Sequence, residues 1–206
     1  EAGHAFASYV SSREVPYLDL HWPTMEGAET HSMSMEFLTA PWHEKFFKDQ
    51  TKKYEYSHLV GTLFFIPYGC MVDHFQEIVY LHPELTPEER NQEWLKLESM
   101  YRPYLDLAGL PCYARGAGWQ RQLHFYTVPY YYIDYCLAQT VALQYWMKSE
   151  ESWKEAWENY LAFVKQGGKK SFVELVEDAG MVLPFTSGCL KRITDYVEKW
   201  LEGHKM

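Results

Sequence analysis

The sequence predicts an all-α fold of many helices, and three observations carry that expectation. Capping boxes occur at Thr86-Pro87-Glu88-Glu89 and Ser171-Phe172-Val173-Glu174, each pairing a hydroxyl cap with a glutamate three residues on. Alternation of Val, Ile and Thr with polar residues, the mark of a half-buried strand, is rare. Glycine and proline fall mainly between apolar periodic stretches rather than within them.

Taken in order, residues 1–12 read as the tail of a helix. Residues 13–25, with Pro16 and Pro23, read as an extended connection. Residues 26–41 predict a helix ending before Pro41. A long helix follows from about Tyr54 to Leu81, kinked at Pro67 and Gly69. The first capping box opens a helix to about Leu107, with Pro87 at its first helical position. Residues 108–128 hold Gly109, Pro111, Gly116 and Gly118 and read as loop with at most a short strand. Residues 129–147 are strongly helical. Ser149 is read as the cap of a helix to about Gln166, stopped by Gly167-Gly168. The second capping box starts a helix ending near Gly180, and Ser187 opens a last one to about Gly203. No repeat or linker interrupts the series, so 206 residues read as one domain, or a large piece of one.

The formal charge of −9 argues against a phosphate-binding surface, which needs a basic stripe, and against attraction to anionic membranes. No nucleic acid or membrane partner is expected. The longest apolar run, Leu59 to Val72, is too short for a membrane span and contains Pro67. Cys70, Cys112, Cys136 and Cys189 form no C-x-x-C pair. Reduced thiols in the cytoplasm are the expectation. The chain opens mid-pattern on EAGHAFAS with no secretory leader, and is read as continuing upstream.

Three segments carry chemistry. Glu1-Ala2-Gly3-His4 needs only a preceding His to become H-E-x-x-H. In that motif two histidines share a helical face and hold one Zn²⁺, and the Glu meets the metal-bound water. Alone, E-x-x-H is common. A third ligand must come from elsewhere, and a downstream helix offers Glu26 and Glu29. Met33 and Phe37 follow Glu29 by four and eight residues, which sets Glu29 on or beside an apolar face. The third segment, Gln120 to Tyr135, follows the glycine-rich loop. Its Tyr131 and Tyr135 share a face, and phenol hydroxyls or a nearby His124 donate hydrogen bonds to a developing oxyanion.

Together, EAGHAFAS, AETHSMSMEFLTAPW and HFYTVPYYYIDY, in that order, resemble the oligoendopeptidase F and thimet oligopeptidase family of zinc metallopeptidases. The resemblance spans essentially the whole chain and is nearest the oligoendopeptidase F branch. It implies the C-terminal part of the helical catalytic domain of a zincin-type oligopeptidase, a metalloendopeptidase that cleaves short unfolded peptides with one zinc per site. The missing N-terminal part of the same protein is the other implied partner. Glu1 matches the family's general base, Gly3 its inner glycine and His4 its second zinc histidine. Glu29 stands 25 residues beyond His4 and matches the third ligand. Glu26 matches a second acidic position that could hold a ligand histidine by hydrogen bond. His124 matches the substrate-binding histidine. Tyr135 matches the last of the tyrosines and Tyr131 an earlier one, with Tyr130 and Tyr132 as alternatives. The first zinc histidine should precede Glu1 and is absent, so this fragment alone is expected to be inactive. A catalytically inactive helical relative, or an interaction domain, is the alternative. The remaining histidines are read as surface or hydrogen-bonded core residues, with His31 pointing away from the metal.

Overall fold

In the computed structural model, which describes residues 1–204, packing resolves into two compact units. The first comprises Glu1–Thr62 and the chain from Leu137 on; the second is Leu63–Cys136. Each has its own apolar core, and no strand occurs among the described residues.

Helix α1 (Ala2–Glu14) and helix α2 (Met25–Leu38) are joined by an extended segment holding one 3₁₀ turn, Leu18–Leu20. They lie directly on each other. The reason is Gly3: a Cβ there would sit 2.4 Å from the His31 carbonyl oxygen and 2.5 Å from the Ser32 Cα. Only a residue without a side chain allows that backbone-to-backbone approach. A 3₁₀ turn at Ala40–Trp42 takes up Pro41, and short helix α3 (His43–Phe47) leads into helix α4 (Thr51–Leu81). Pro67 lies inside this helix, as the sequence led us to expect.

Helix α5 (Pro87–Tyr101) opens on the expected capping box, with Thr86 and Glu89 exchanging both bonds. It stops six residues before the expected Leu107, because Arg102 precedes Pro103 and leaves helical geometry at φ −133°, ψ 52°. The next stretch is helical turns rather than a strand: helix α6 (Pro111–Ala114), a 3₁₀ segment at Ala117–Arg121 and helix α7 (His124–Thr127).

Helix α8 (Tyr132–Val164) is broken at Ser152, whose φ −156° and ψ 99° are extended. Ser152 Oγ accepts from Glu155 N at 3.4 Å, so Ser152, not Ser149, caps the second half. Ser149 instead bonds back to the Trp146 carbonyl. Helix α9 (Phe172–Asp178) starts on its expected capping box. Helix α10 (Cys189–Gly203) begins after Gly188 at φ +85°, one residue beyond the serine expected to open it.

The core of the first unit gathers α1, α2, α8 and α9 around Val10, Leu38, Tyr145, Tyr160 and Val176. Buried polar bonds lock α2 into it: Tyr160 donates to the His31 carbonyl at 2.8 Å and Trp153 Nε1 to the Leu38 carbonyl at 2.8 Å. The core of the second unit is Met71, Val72, Phe75, Trp94, Leu97, Trp119 and Tyr132. Trp119 donates to buried Asn91 at 2.9 Å. None of the described helices is long and apolar enough to cross a membrane, and no disulfide joins any of the four cysteines.

Candidate active site

In the first unit, the close approach at Gly3 brings the first turn of α1 onto α2. His4 Nε2 lies 3.4 Å from Glu29 Oε2. Glu29 is buried, with its carboxylate held by the hydroxyl of Ser32 at 3.3 Å. The same hydroxyl reaches the Glu29 carbonyl at 3.0 Å. His4 Nδ1 is buried and has no hydrogen-bond partner, so the Glu26 carboxylate does not hold this histidine. Glu1 stands at the N-cap of α1 with an exposed side chain.

A tetrahedral zinc bonded at about 2.0–2.2 Å holds two ligand atoms roughly 3.4 Å apart. The nitrogen–oxygen separation here therefore suits one edge of such a site, and one imidazole plus one carboxylate is a suitable donor set. Among the described residues no third His, Cys, Asp or Glu joins them into a metal-holding group. His31, expected to point away, lies close enough to feel the charge of His4. Burial first, and His4 second, push its pKa down to about 3, so it is neutral. Its ring packs edge-on against Phe163.

The second unit assembles the other predicted residues. Gly116 seats the loop: at φ +79° its backbone is left-handed, and a Cβ would sit 2.1 Å from the Asn91 carbonyl oxygen. The chain then turns through Trp119 and α7 to present His124. At Tyr130, φ is +59°, an uncommon value for a side-chain-bearing residue, and its N–H donates to the buried Gln76 at 2.9 Å. This turn delivers Tyr131 and the start of α8.

His124, Tyr131 and Tyr135 form one aromatic cluster. The Tyr131 and Tyr135 rings are 4.9 Å apart, and His124 Nε2 lies 3.4 Å from the Tyr135 hydroxyl. All three are partly exposed. Tyr132 is instead a core residue against which His124 packs edge-on at 5.0 Å, and burial raises its phenol pKa. Tyr130 is half exposed and faces Tyr80. Of the tyrosines weighed from sequence, Tyr131 and Tyr135 are the pair that meet His124 with their rims open.

Sequence reasoning did not single out Ser32, Gln122 or Tyr68. Gln122 Nε2 contacts His124 Nδ1, and Tyr68 donates to Gln122 Oε1 at 2.9 Å. Tyr68 is 54 positions from Gln122, so no local pattern could reveal it. The other histidines mostly serve local bonds, such as His43 with Glu55 at 3.2 Å and His58 with Glu36 at 2.7 Å.

The sequence model of peptidase family M3 matches residues 1–195. The chain is 28% identical over 194 residues to the oligoendopeptidase F homolog of Borreliella burgdorferi, covering 89% of this chain and 31% of that protein. The solved structure of PZ peptidase A with inhibitor 2 superposes with a TM-score of 0.95 at 48% identity, over 98% of this chain and 36% of the other. A structure solved under the name oligoendopeptidase F gives a TM-score of 0.94 at 45% identity, over 98% and 36%. The chain thus spans about a third of the length of these relatives. With motif order, helical architecture and family match in agreement, this chain belongs to peptidase family M3.

Proposed function

We propose that this chain carries part of the active site of a zinc-dependent endopeptidase that hydrolyses short, unfolded oligopeptides. The observation that supports this most is the 3.4 Å convergence of His4 Nε2 and Glu29 Oε2 across two helices held together at Gly3. In this reading His4 and Glu29 hold zinc, and a histidine preceding Glu1 completes the set. When bound, zinc supplies Lewis-acid polarisation of water and of the scissile carbonyl. Glu1 takes the water's proton and passes it to the leaving amine. The carboxylate of Glu29, oriented by Ser32, offsets positive charge at the ligand end. His124, Tyr131 and Tyr135 donate hydrogen bonds to the peptide oxygen as charge builds on it. Each well-placed donor is worth roughly 3–4 kcal/mol. Their role rests on the family resemblance and on the chemistry of the cluster itself. The remainder of the relatives' length is, in this reading, the partner that completes the site, and cysteines that form no disulfide suit the cytoplasm.

The test is zinc per chain in a protein extended upstream of Glu1, beside Glu29→Gln. About one zinc is expected in the first, lost or bound at least tenfold more weakly in the second, as the charge of one ligand disappears. Cleavage of a short internally quenched peptide should stop when a chelator removes the metal. A well-folded extended protein that takes up no zinc would overturn the reading.

A further inference from the structure

We infer that the first unit holds a binding pocket outside the candidate active site, and that its occupant is a hydrophobic primary amine, an apolar body carrying an ammonium group. The pocket has about 410 Å³ of empty space, counted out to the solvent at its mouth. Every residue that lines it belongs to the first unit, and none is shared with the candidate active site. Along α2, its wall residue Phe37 stands eight positions after Glu29, roughly 12 Å at the rise of a helix. The inference does not rest on the peptidase reading.

Its apolar part is a run of touching rings. Phe37 and Trp146 are buried, with ring centroids 6.2 Å apart, and Trp146 meets Trp200 edge-on at 5.8 Å. Buried Leu59 adds to this wall from α4. His204 stacks on Trp200 at 3.8 Å and holds that ring in place at the rim. Such a wall suits an apolar body, and the faces of aromatic rings attract a cation.

The charged part is a pair of carboxylates, Glu55 from α4 and Glu150 from α8, each aimed through one oxygen. His43 Nδ1 lies 3.2 Å from Glu55 Oε1, and Trp200 Nε1 donates to Glu150 Oε2 at 3.0 Å. Among the described residues, the second oxygen of each, Glu55 Oε2 and Glu150 Oε1, has no hydrogen-bond or ion-pair partner. No Lys or Arg lines the pocket to neutralise them. Its two histidines already face carboxylates, His43 that of Glu55 and His58 that of Glu36 at 2.7 Å. An anion would meet like charge here, and a neutral apolar molecule would bring no donor to either carboxylate. An ammonium brings three donors and the opposite charge, while its apolar body covers the aromatic wall.

The probe is phenethylamine, with 2-phenylethanol as its neutral counterpart and 3-phenylpropanoate as its anionic one. Each is titrated by calorimetry into the protein extended upstream of Glu1, at about pH 8, where an ordinary histidine is neutral and the amine is charged. The amine is expected to bind roughly tenfold more tightly than the alcohol, the worth of one charge-assisted hydrogen bond, and the propanoate more weakly than either. Glu150→Gln keeps an acceptor for Trp200 and removes the charge. It and Glu55→Gln should each weaken the amine by roughly tenfold and leave the alcohol unchanged. Glu150 is exposed, so Glu150→Gln carries the test even where Glu55→Gln lowers Tm through His43. Glu158→Gln removes an exposed carboxylate of the same helix outside the pocket, and should change nothing. Glu29→Gln should bind the amine as the parent does, which separates this pocket from the metal end. Equal affinity for amine and alcohol, or no binding of the amine, would overturn the inference. So would an amine affinity that survives Glu150→Gln in a folded protein, or that falls with Glu158→Gln or Glu29→Gln, since the cation would then sit elsewhere.

Discussion

Both halves of the candidate machinery depend on a glycine pressed against a helix carbonyl, yet they use it differently. In the first unit Gly3 sits inside α1, against the His31 carbonyl of α2, and the residues of interest project from those same two helices. His4 and Glu29 meet because their backbones do. In the second unit Gly116 seats a loop on the Asn91 carbonyl of α5, and His124 lies eight residues further on. There, alignment passes through side chains: Tyr68, Gln122, His124 and Tyr135. A helix pair fixes two ligands with few supporting groups. A cluster carried by short turns needs a hydrogen-bonded scaffold.

The largest effect should come from testing the first half of that contrast. Gly3→Ala puts a methyl within 2.4 Å of a backbone oxygen, where no flexible side chain can move aside. Forcing the helices apart should cost about 3 kcal/mol or more and separate His4 from Glu29. The expected outcome is a large fall in Tm and loss of zinc from the upstream-extended protein. A variant that melts normally and keeps its zinc would show that backbone contact does not set the ligand distance.

The same contrast explains what could be read from the sequence. The two capping boxes and α2 were legible because each is written in residues a few turns apart, whereas the choice of Glu29 as partner of His4, 25 residues on, came from the resemblance. The cap of the second half of α8 was misplaced at Ser149. Both Ser149 and Ser152 have a glutamate nearby, so the local pattern does not say which serine leaves the helix. The end of α5 was readable from Pro103 but was set too late. The glycines near 116 read as loop by composition. Packing gives two of them a role: Gly116 seats the chain on Asn91, and Gly118 lies against Tyr113 and Trp94. Tyr68 and Gln76 support the cluster from 54 positions away, and long-range pairs of that kind leave no local signature.

Gly116→Ala probes the second half and should rank next. The substitution meets both a left-handed φ of +79° and a carbonyl at 2.1 Å. A cost of roughly 2–3 kcal/mol in stability is expected from the strain and the contact together. Peptide turnover should fall while zinc per chain stays normal, since no proposed ligand lies on this loop. Loss of zinc in a folded Gly116→Ala protein would break the division of labour between the two glycines.

Ser32→Ala should give the smallest effect, and it tests whether the first half also leans on a side chain. The Ser32 hydroxyl has one hydrogen and two acceptors, the Glu29 carbonyl at 3.0 Å and the Glu29 carboxylate at 3.3 Å. The first is the ordinary back-bond of a serine inside a helix and contributes little to stability. The second turns the carboxylate toward His4. Removing the hydroxyl should therefore cost about 1 kcal/mol of stability at most. Zinc affinity should weaken by about tenfold, the low end for a lost supporting partner. Titration of the apo protein with zinc, beside its Tm, separates the two effects. An unchanged affinity would mean that α1 and α2 alone aim the carboxylate, which would sharpen the contrast with His124. A loss as large as that of Glu29→Gln would mean the opposite: the metal end, like the histidine–tyrosine cluster, depends on one hydrogen bond to hold its shape.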